Sequence, residues 1–497
     1  MQSRAQIENW FLKSHSQLLV MVAASLVLVA NFVFNHPPIS LFDDAGYAHL
    51  ALGLVEGKST FLEGHNFWYR VVVYYPQALF IKLFGLNRYA VHLWGFLVQL
   101  AAGWSIFWYA KKLFNANSFW IAAIYLVYPL LLNRSLDYQV DVLVAAFGSV
   151  ATLAFVYGLK TGNNKHVVLA LALIALGFLC KSSIVLFVLA WPILVFNELK
   201  WASKSFWLVF LGGSIGLWLL LWALGLDPIT RYQAIQQNFF AEHVNQTFAK
   251  KLELLLKNNQ LWGLLPALGL SVTSLFSSKN ESKPYAWWLL IMFFGLFFGQ
   301  LSFTNWAPLP FNERFYTIFV LPMLLVWHKL NLGKWNMAVL AILAVDFTFG
   351  TGHFSAKWLL LFVVLFSIIS LAFTRALLPA FFAAFCMFSV YGIINRLSDL
   401  EAQQIRNIAL SGSETLYVDN RIATFSRLFF EDQLPHFEIK NVNGLTAENG
   451  NVLYWHNDFR ERQFAKKGEI KTIDSFMVKD TISSFGKSHL LRVSARK

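Results

Sequence analysis

Residues 140–157 read VDVLVAAFGSVATLAFVY, one acid at the second position and then sixteen residues without a charge. At about 1.5 Å of rise per helical residue, this run covers most of a hydrocarbon core about 30 Å thick. A surface helix of a soluble protein carries a polar face, and this one has none. The rest of the chain agrees. Of its 497 residues, 57% are hydrophobic and 13% charged, against about 25% charged in an ordinary soluble protein. Lipid is therefore the expected solvent.

Comparable apolar runs lie near 18–34, 90–109, 117–132, 167–180, 184–197, 206–225, 260–276, 285–303, 314–328, 335–349, 358–374 and 376–394. With 140–157 they predict an α-helical polytopic membrane protein of about 13 spans. The shorter runs are within what tilt and local thinning accommodate. The first run follows Arg4 and Lys13 and is followed by His36-Pro37-Pro38 rather than a small-residue cleavage pattern, so it reads as an uncleaved helix. Cys180 and Cys386 both sit in apolar runs and read as small hydrophobes.

The connecting segments alternate in kind. One set is short and basic: Lys111-Lys112, Lys160 with Lys165, Lys200 with Lys204, Lys279 with Lys283, Lys329 with Lys334, and Arg375. With Arg4 and Lys13 it carries 13 Lys/Arg against the acids Glu8, Glu198 and Glu281. The positive-inside rule makes this face cytoplasmic. The segments 35–89, 133–139, 226–259, 304–313 and 350–357 then face outward, and an odd span count puts the C-terminus there too. The net charge of +13 is mostly membrane-flanking, +11 in residues 1–394 and +2 in 395–497. No basic run is long enough to track nucleic-acid phosphates.

The predicted organisation is a transmembrane domain over 1–394 and a small extracytoplasmic α/β domain over 395–497. Within the first outer loop, 35–89, Ala45–Glu56 and Val71–Leu83 have helical spacing, and the latter suits an interfacial helix. In the C-terminal domain, strand-like runs occur at Thr415–Val418, Phe437–Val442, Asn451–Trp455 and His489–Val493, with a helical stretch near Ile422–Glu431.

Ionisable residues at the outer ends of spans are the candidates for chemistry. Asp43-Asp44-Ala45-Gly46-Tyr47 follows the first span. Adjacent carboxylates beside a membrane must be solvated, paired or metal-bound, or serve as a helix N-cap. Asp141 opens its span from the same side, either as a helix-start acid or as a site residue. Lys181 lies between two apolar runs with almost no loop, where a lysine either snorkels or binds an anion. Arg314 starts a later span beside Glu313. Arg70 and Lys82 are weaker candidates, and His49, His65 and His243 show no metal spacing. Coupled transporters keep such groups nearer mid-membrane, on broken helices.

These residues, in this order, resemble the GT-C glycosyltransferases that use polyprenyl-phosphate sugars, with the lipid A aminoarabinose transferases and protein O-mannosyltransferases among them. The resemblance rests on Asp43-Asp44 with Tyr47, Tyr74-Tyr75-Pro76, Leu83-Phe84-Gly85, Asp141, Gly177 through Lys181, and Arg314-Phe315 leading to Pro322. In two places the sequence departs from the family pattern: the second acid is Asp44 rather than Glu, and no Pro-Pro precedes Tyr74.

The resemblance implies inverting transfer of a sugar from a polyprenyl-phosphate donor to an extracytoplasmic acceptor, whether glycolipid, polysaccharide or protein, in a bacterial inner or plasma membrane. Asp43 would be the general base. Asp44 or Asp141 would position the acceptor, or hold a divalent cation if one is used. Lys181 and Arg314 would neutralise the leaving phosphate, with Tyr47 and Arg70 also contacting substrate. The alternatives are a lipid-linked saccharide flippase and a surface-polysaccharide ligase or polymerase.

Overall fold

A computed structural model describes residues 14–34, 43–58, 70–114, 118–128, 130–132, 140–195, 203–223, 264–276, 282–299, 313–329, 386, 405, 407, 415–419, 422–423, 426–429, 439–445, 452–458, 461, 473–485 and 488–495. The chain divides into two compact units. The first comprises Met1–Asn35, Phe61–Val73 and Trp94–Asn395, and the second His36–Thr60, Tyr74–Leu93 and Arg396–Lys497.

The helices are α1 (Ser14–Phe34), α2 (Asp43–Val55), α3 (Val71–Phe84), α4 (Arg88–Leu113), α5 (Phe119–Val127), α6 (Val140–Thr161), α7 (Asn164–Cys180), α8 (Val185–Leu194), α9 (Lys204–Ala223), α10 (Leu264–Phe276), α11 (Lys283–Phe298) and α12 (Val320–Lys329), with a 3-10 segment at Glu313–Phe319 before α12. Each of the first ten predicted spans overlaps a described helix. Among the described residues, α1, α4, α6 and α9 are long and apolar enough to cross a membrane. The predicted spans at 335–349, 358–374 and 376–394 lie outside the described residues, apart from residue 386.

Helix α6 is the hub of the first unit. Its membrane-length window is 89% buried, whereas that of α9 is 11% buried. The same kind of apolar sequence therefore serves a central helix and a peripheral one, and only packing tells them apart. Small residues set the spacing, as in membrane bundles generally. At Gly148 a Cβ would clash with the ring edge of Phe187 on α8. Where helices meet, buried polar side chains pair. Trp191 Nε1 donates to Thr152 Oγ1 at 3.1 Å, and that hydroxyl donates to the Gly148 carbonyl at 2.8 Å. Phe155 stacks on Trp191 with centroids 4.0 Å apart. Trp104 Nε1 donates to Ser25 Oγ at 3.2 Å, joining α4 to α1.

Gly148→Val should cost about 1–3 kcal/mol by overpacking, read as a lower melting temperature in detergent. The same change at Gly212, where a Cβ meets nothing within 4 Å, should be nearly silent.

The turn between α6 and α7 is tight. Gly162 adopts φ +67°, a conformation that favours glycine. The Asn163 amide donates to the Gly158 carbonyl at 2.9 Å, and the Asn163 side chain accepts from the Lys165 amide at 3.1 Å, capping α7.

In the second unit, β1 (Leu416–Val418), β2 (Ile439–Asn441), β3 (Val452–Asn457), β4 (Phe476–Phe485) and β5 (Ser488–Ala495) form one sheet in the order β2-β1-β3-β5-β4. β1 is parallel to both its neighbours, while β5 is antiparallel to β3 and β4. Both faces are covered. Leu416, Val418, Ile422, Trp455 and Leu490 pack on one side, and Tyr417, Tyr454, Phe476, Leu491 and Val493 on the other. Each of the four strand-like runs overlaps a described strand. β4 was not expected: it carries Lys479, Asp480 and Thr481 in its middle, leaves Met477, Val478 and Ile482 exposed, and shifts register twice against β5. Such irregular, charged strands suit a sheet edge.

Two polar clusters brace this unit. Glu56, just past α2, accepts from Lys58 Nζ at 2.6 Å and from Arg427 of the short helix Ser426–Phe429. Those hydrogen bonds, from Lys58 and then Arg427, hold its carboxyl down at about 2. The second cluster surrounds the buried His456, whose Nε2 lies 3.1 Å from both Asp458 Oδ1 and Glu461 Oε2. His489, opposite it on β5, reaches Asp458 Oδ2 at 3.5 Å.

Burial lowers the His456 pKa, against the pull of Glu461 and Asp458. The folded form thus resists a proton that the unfolded chain takes up near pH 6.5. Its contribution to stability is full above that pH and is lost as pH falls through the folded value. Melting of the intact protein should therefore shift downward below pH 6.5, and His456→Gln should flatten that part of the profile.

Candidate active site

Asp141 is the second residue of α6 and is 2% exposed. Lys181 terminates α7 in extended conformation, its amide donating to the Gly177 carbonyl at 2.8 Å. A 3-10 turn, Ser182–Ile184, then starts α8 with no further loop. Because α6 and α7 form a hairpin, the start of one lies beside the end of the other. Lys181 Nζ donates to Asp141 Oδ1 at 2.7 Å. Burying either charge alone would cost several kcal/mol, so each accounts for the other's position.

Thr317, in the 3-10 segment, donates from Oγ1 to the Asp141 carbonyl at 3.2 Å. That bond docks the backbone carrying Arg314, one 3-10 turn earlier, onto the start of α6. Tyr316 and Thr317 are buried there, at 4% and 1% exposure. Sequence reasoning passed over Thr317, whose only sequence signal is a position one turn beyond Arg314 at the start of a span.

The structure thus brings together Asp141, Lys181 and the Arg314 segment. The side chains of Arg314, Asp43 and Asp44 lie outside the described residues, although the backbone of Asp43-Asp44 forms the first turn of α2. Tyr47 is fully enclosed, at 0% exposure. Arg70 directly precedes α3 and is partly buried, its carbonyl accepting from the Val73 amide at 2.8 Å.

Among the described residues no three His, Cys, Asp or Glu side chains are arranged to hold a metal ion. Asp141, the one candidate ligand whose side chain is described, is engaged by Lys181.

Comparison with known proteins follows the same lines. Residues 71–222 match the family described as dolichyl-phosphate-mannose-protein mannosyltransferase. That stretch carries Tyr74-Tyr75-Pro76, Asp141 and Lys181. Two solved structures of ArnT from Cupriavidus metallidurans align along nearly the whole chain. The apo form superposes with a TM-score of 0.56 at 14% identity, covering 96% of this chain and 97% of that one. The chain has the fold of ArnT. The form bound to undecaprenyl phosphate gives a TM-score of 0.57 at 13% identity, covering 97% of this chain and 98% of that one. No curated protein sequence matches the chain. The likeness thus extends as fold along nearly the whole chain, and as a match to a sequence family over residues 71–222.

Proposed function

We propose that this chain is a membrane glycosyltransferase that moves a sugar from a polyprenyl-phosphate donor to an acceptor hydroxyl with inversion. The observation that carries the reading is the buried Asp141–Lys181 pair, bonded to Thr317, at one end of a membrane-length helix in a chain of this fold. A lipid-linked phosphate presents its charge at that depth.

Asp43 takes the proton of the acceptor hydroxyl as its oxygen bonds to the anomeric carbon, the bond to the phosphate oxygen breaks, and polyprenyl phosphate departs. Asp44 orients the acceptor. Lys181, held by Asp141, and Arg314, carried on the segment that Thr317 docks, neutralise the departing phosphate. Lysine acts there as a point charge and arginine as a fork. Arg70 adds a further substrate contact, and Tyr47, enclosed in the fold, acts by holding α2 in place. The acceptor is extracytoplasmic, and the membrane is a bacterial inner membrane with the basic loops inside.

A flippase would move the same donor without cleaving it. The discriminating experiment reconstitutes the purified chain in vesicles with a labelled polyprenyl-phosphate sugar and a lipid acceptor. Sugar leaving its lipid, with polyprenyl phosphate appearing in equal amount, supports transfer. Movement of intact donor between leaflets, without cleavage, contradicts it.

A further inference from the structure

Helix α2 ends on a residue that is unfavourable at a helix end. The Lys58 amide donates to the Gly53 carbonyl at 2.9 Å and the Gly57 amide to the Leu54 carbonyl at 3.3 Å, with Gly57 at φ +66°. That is a Schellman closure, and it makes Glu56 the C-cap. The last turn of α2 carries no basic residue. A carboxylate here faces the negative end of the helix dipole, where a cation is favoured. A local rule broken in this way marks a position with another task.

The partners of Glu56 show what that task is. Its Oε2 accepts from Lys58 Nζ, two residues on, and its Oε1 from Arg427 Nη1, 371 residues away in sequence. Each carboxylate oxygen therefore has its own cation. Arg427 belongs to the C-terminal domain, on the short helix Ser426–Phe429, which packs against α2. The next residue, Leu428, is buried at 1% exposure and anchors that helix. Upstream, the Asp419 side chain accepts from the Ile422 amide at 3.1 Å, and Ile422 packs with Leu416 and Val418 of β1. The segment His36–Thr60 accordingly groups with Arg396–Lys497 in one compact unit.

At the other end of the same helix stand Asp43 and Asp44. Its thirteen residues span about 20 Å, so a tilt of about 3° moves the far end by about 1 Å. A misplacement of that size can cost a reaction about 10²-fold.

We propose that the C-terminal domain holds α2 in place for the reaction, with Arg427 as a positioning residue that acts through Glu56 on the acid pair at the start of the helix. The holding stands on geometry alone, and its effect on rate rests on the transferase reading. The test compares wild type, Arg427→Gln, Glu56→Gln, the double variant, Arg427→Lys and Lys58→Gln as full chains in detergent. Hydrogen exchange over residues 43–55 reads the holding. Initial rates with a labelled polyprenyl-phosphate sugar and a lipid acceptor read its consequence. An exposed pair biases an equilibrium by at most about fivefold and adds little to global stability. Arg427→Gln and Glu56→Gln should therefore each speed exchange in α2 and lower kcat by about fivefold, with the donor KM and the melting temperature unchanged. The double variant should be no worse than either single, because both remove one link. Arg427→Lys and Lys58→Gln, which keep that link, should stay near wild type. Unchanged exchange in Arg427→Gln would overturn the proposal whether or not any sugar is transferred. So would faster exchange with wild-type kcat, a loss of kcat that tracks a lower melting temperature, or additive losses in the double variant. Absence of transfer by wild type would contradict the transferase reading and leave the exchange rates to decide the holding.

Discussion

Asp43→Asn should reduce sugar transfer about 10²- to 10⁴-fold, the usual worth of a positioned general base. The substitution is chosen to spare the fold. Asp43 opens α2, and asparagine caps a helix start about as well as aspartate. The amide keeps the shape and loses the basicity. Donor binding should survive, because the roles assigned to Lys181 and Arg314 are independent of it. Initial rates at equal amounts of monodisperse protein decide the matter. Full activity in Asp43→Asn would remove the base assignment and transfer it to Asp44 or Asp141.

Lys181→Met should be the most damaging single change to stability, and it should also abolish transfer. Asp141 is 2% exposed and Lys181 17%. Removing the ammonium leaves a carboxylate buried without its partner, which costs about 3–5 kcal/mol. The double variant Asp141→Asn/Lys181→Met has no stranded charge and should recover much of that loss, but not activity, since the cation facing the leaving phosphate is still missing. Melting temperature and transfer rate, measured on both single variants and the double, separate the structural role from the chemical one. A lysine that merely snorkelled to the interface would give Lys181→Met near wild-type stability.

Composition and uniform apolarity exposed the helices, because a spanning segment needs little more than length and the absence of charge. Ten predicted spans fall on described helices for that reason. Burial was not legible: α6 and α9 have similar sequences, yet one is enclosed and the other is not. Partners that lie forty and more residues apart were equally hidden. Nothing in the spacing of Asp141 and Lys181 says that they touch; the hairpin turn at Gly162 and Asn163 does. Thr317 escaped notice because a lone threonine in an apolar run carries no pattern. In the second unit the short alternating strands announced themselves, while β4, charged and out of register, did not. Its place at the sheet edge relieves it of the apolar alternation that makes strands readable.

The central claim is cleavage of a polyprenyl-phosphate sugar, and the most direct measurement uses the purified wild-type chain alone. It is incubated with a panel of polyprenyl-phosphate sugars and candidate glycolipid, polysaccharide and peptide acceptors, and products are read by mass spectrometry. The account predicts that one donor yields free polyprenyl phosphate and glycosylated acceptor in a one-to-one ratio. Every donor remaining intact, with no acceptor gaining a sugar, would contradict it.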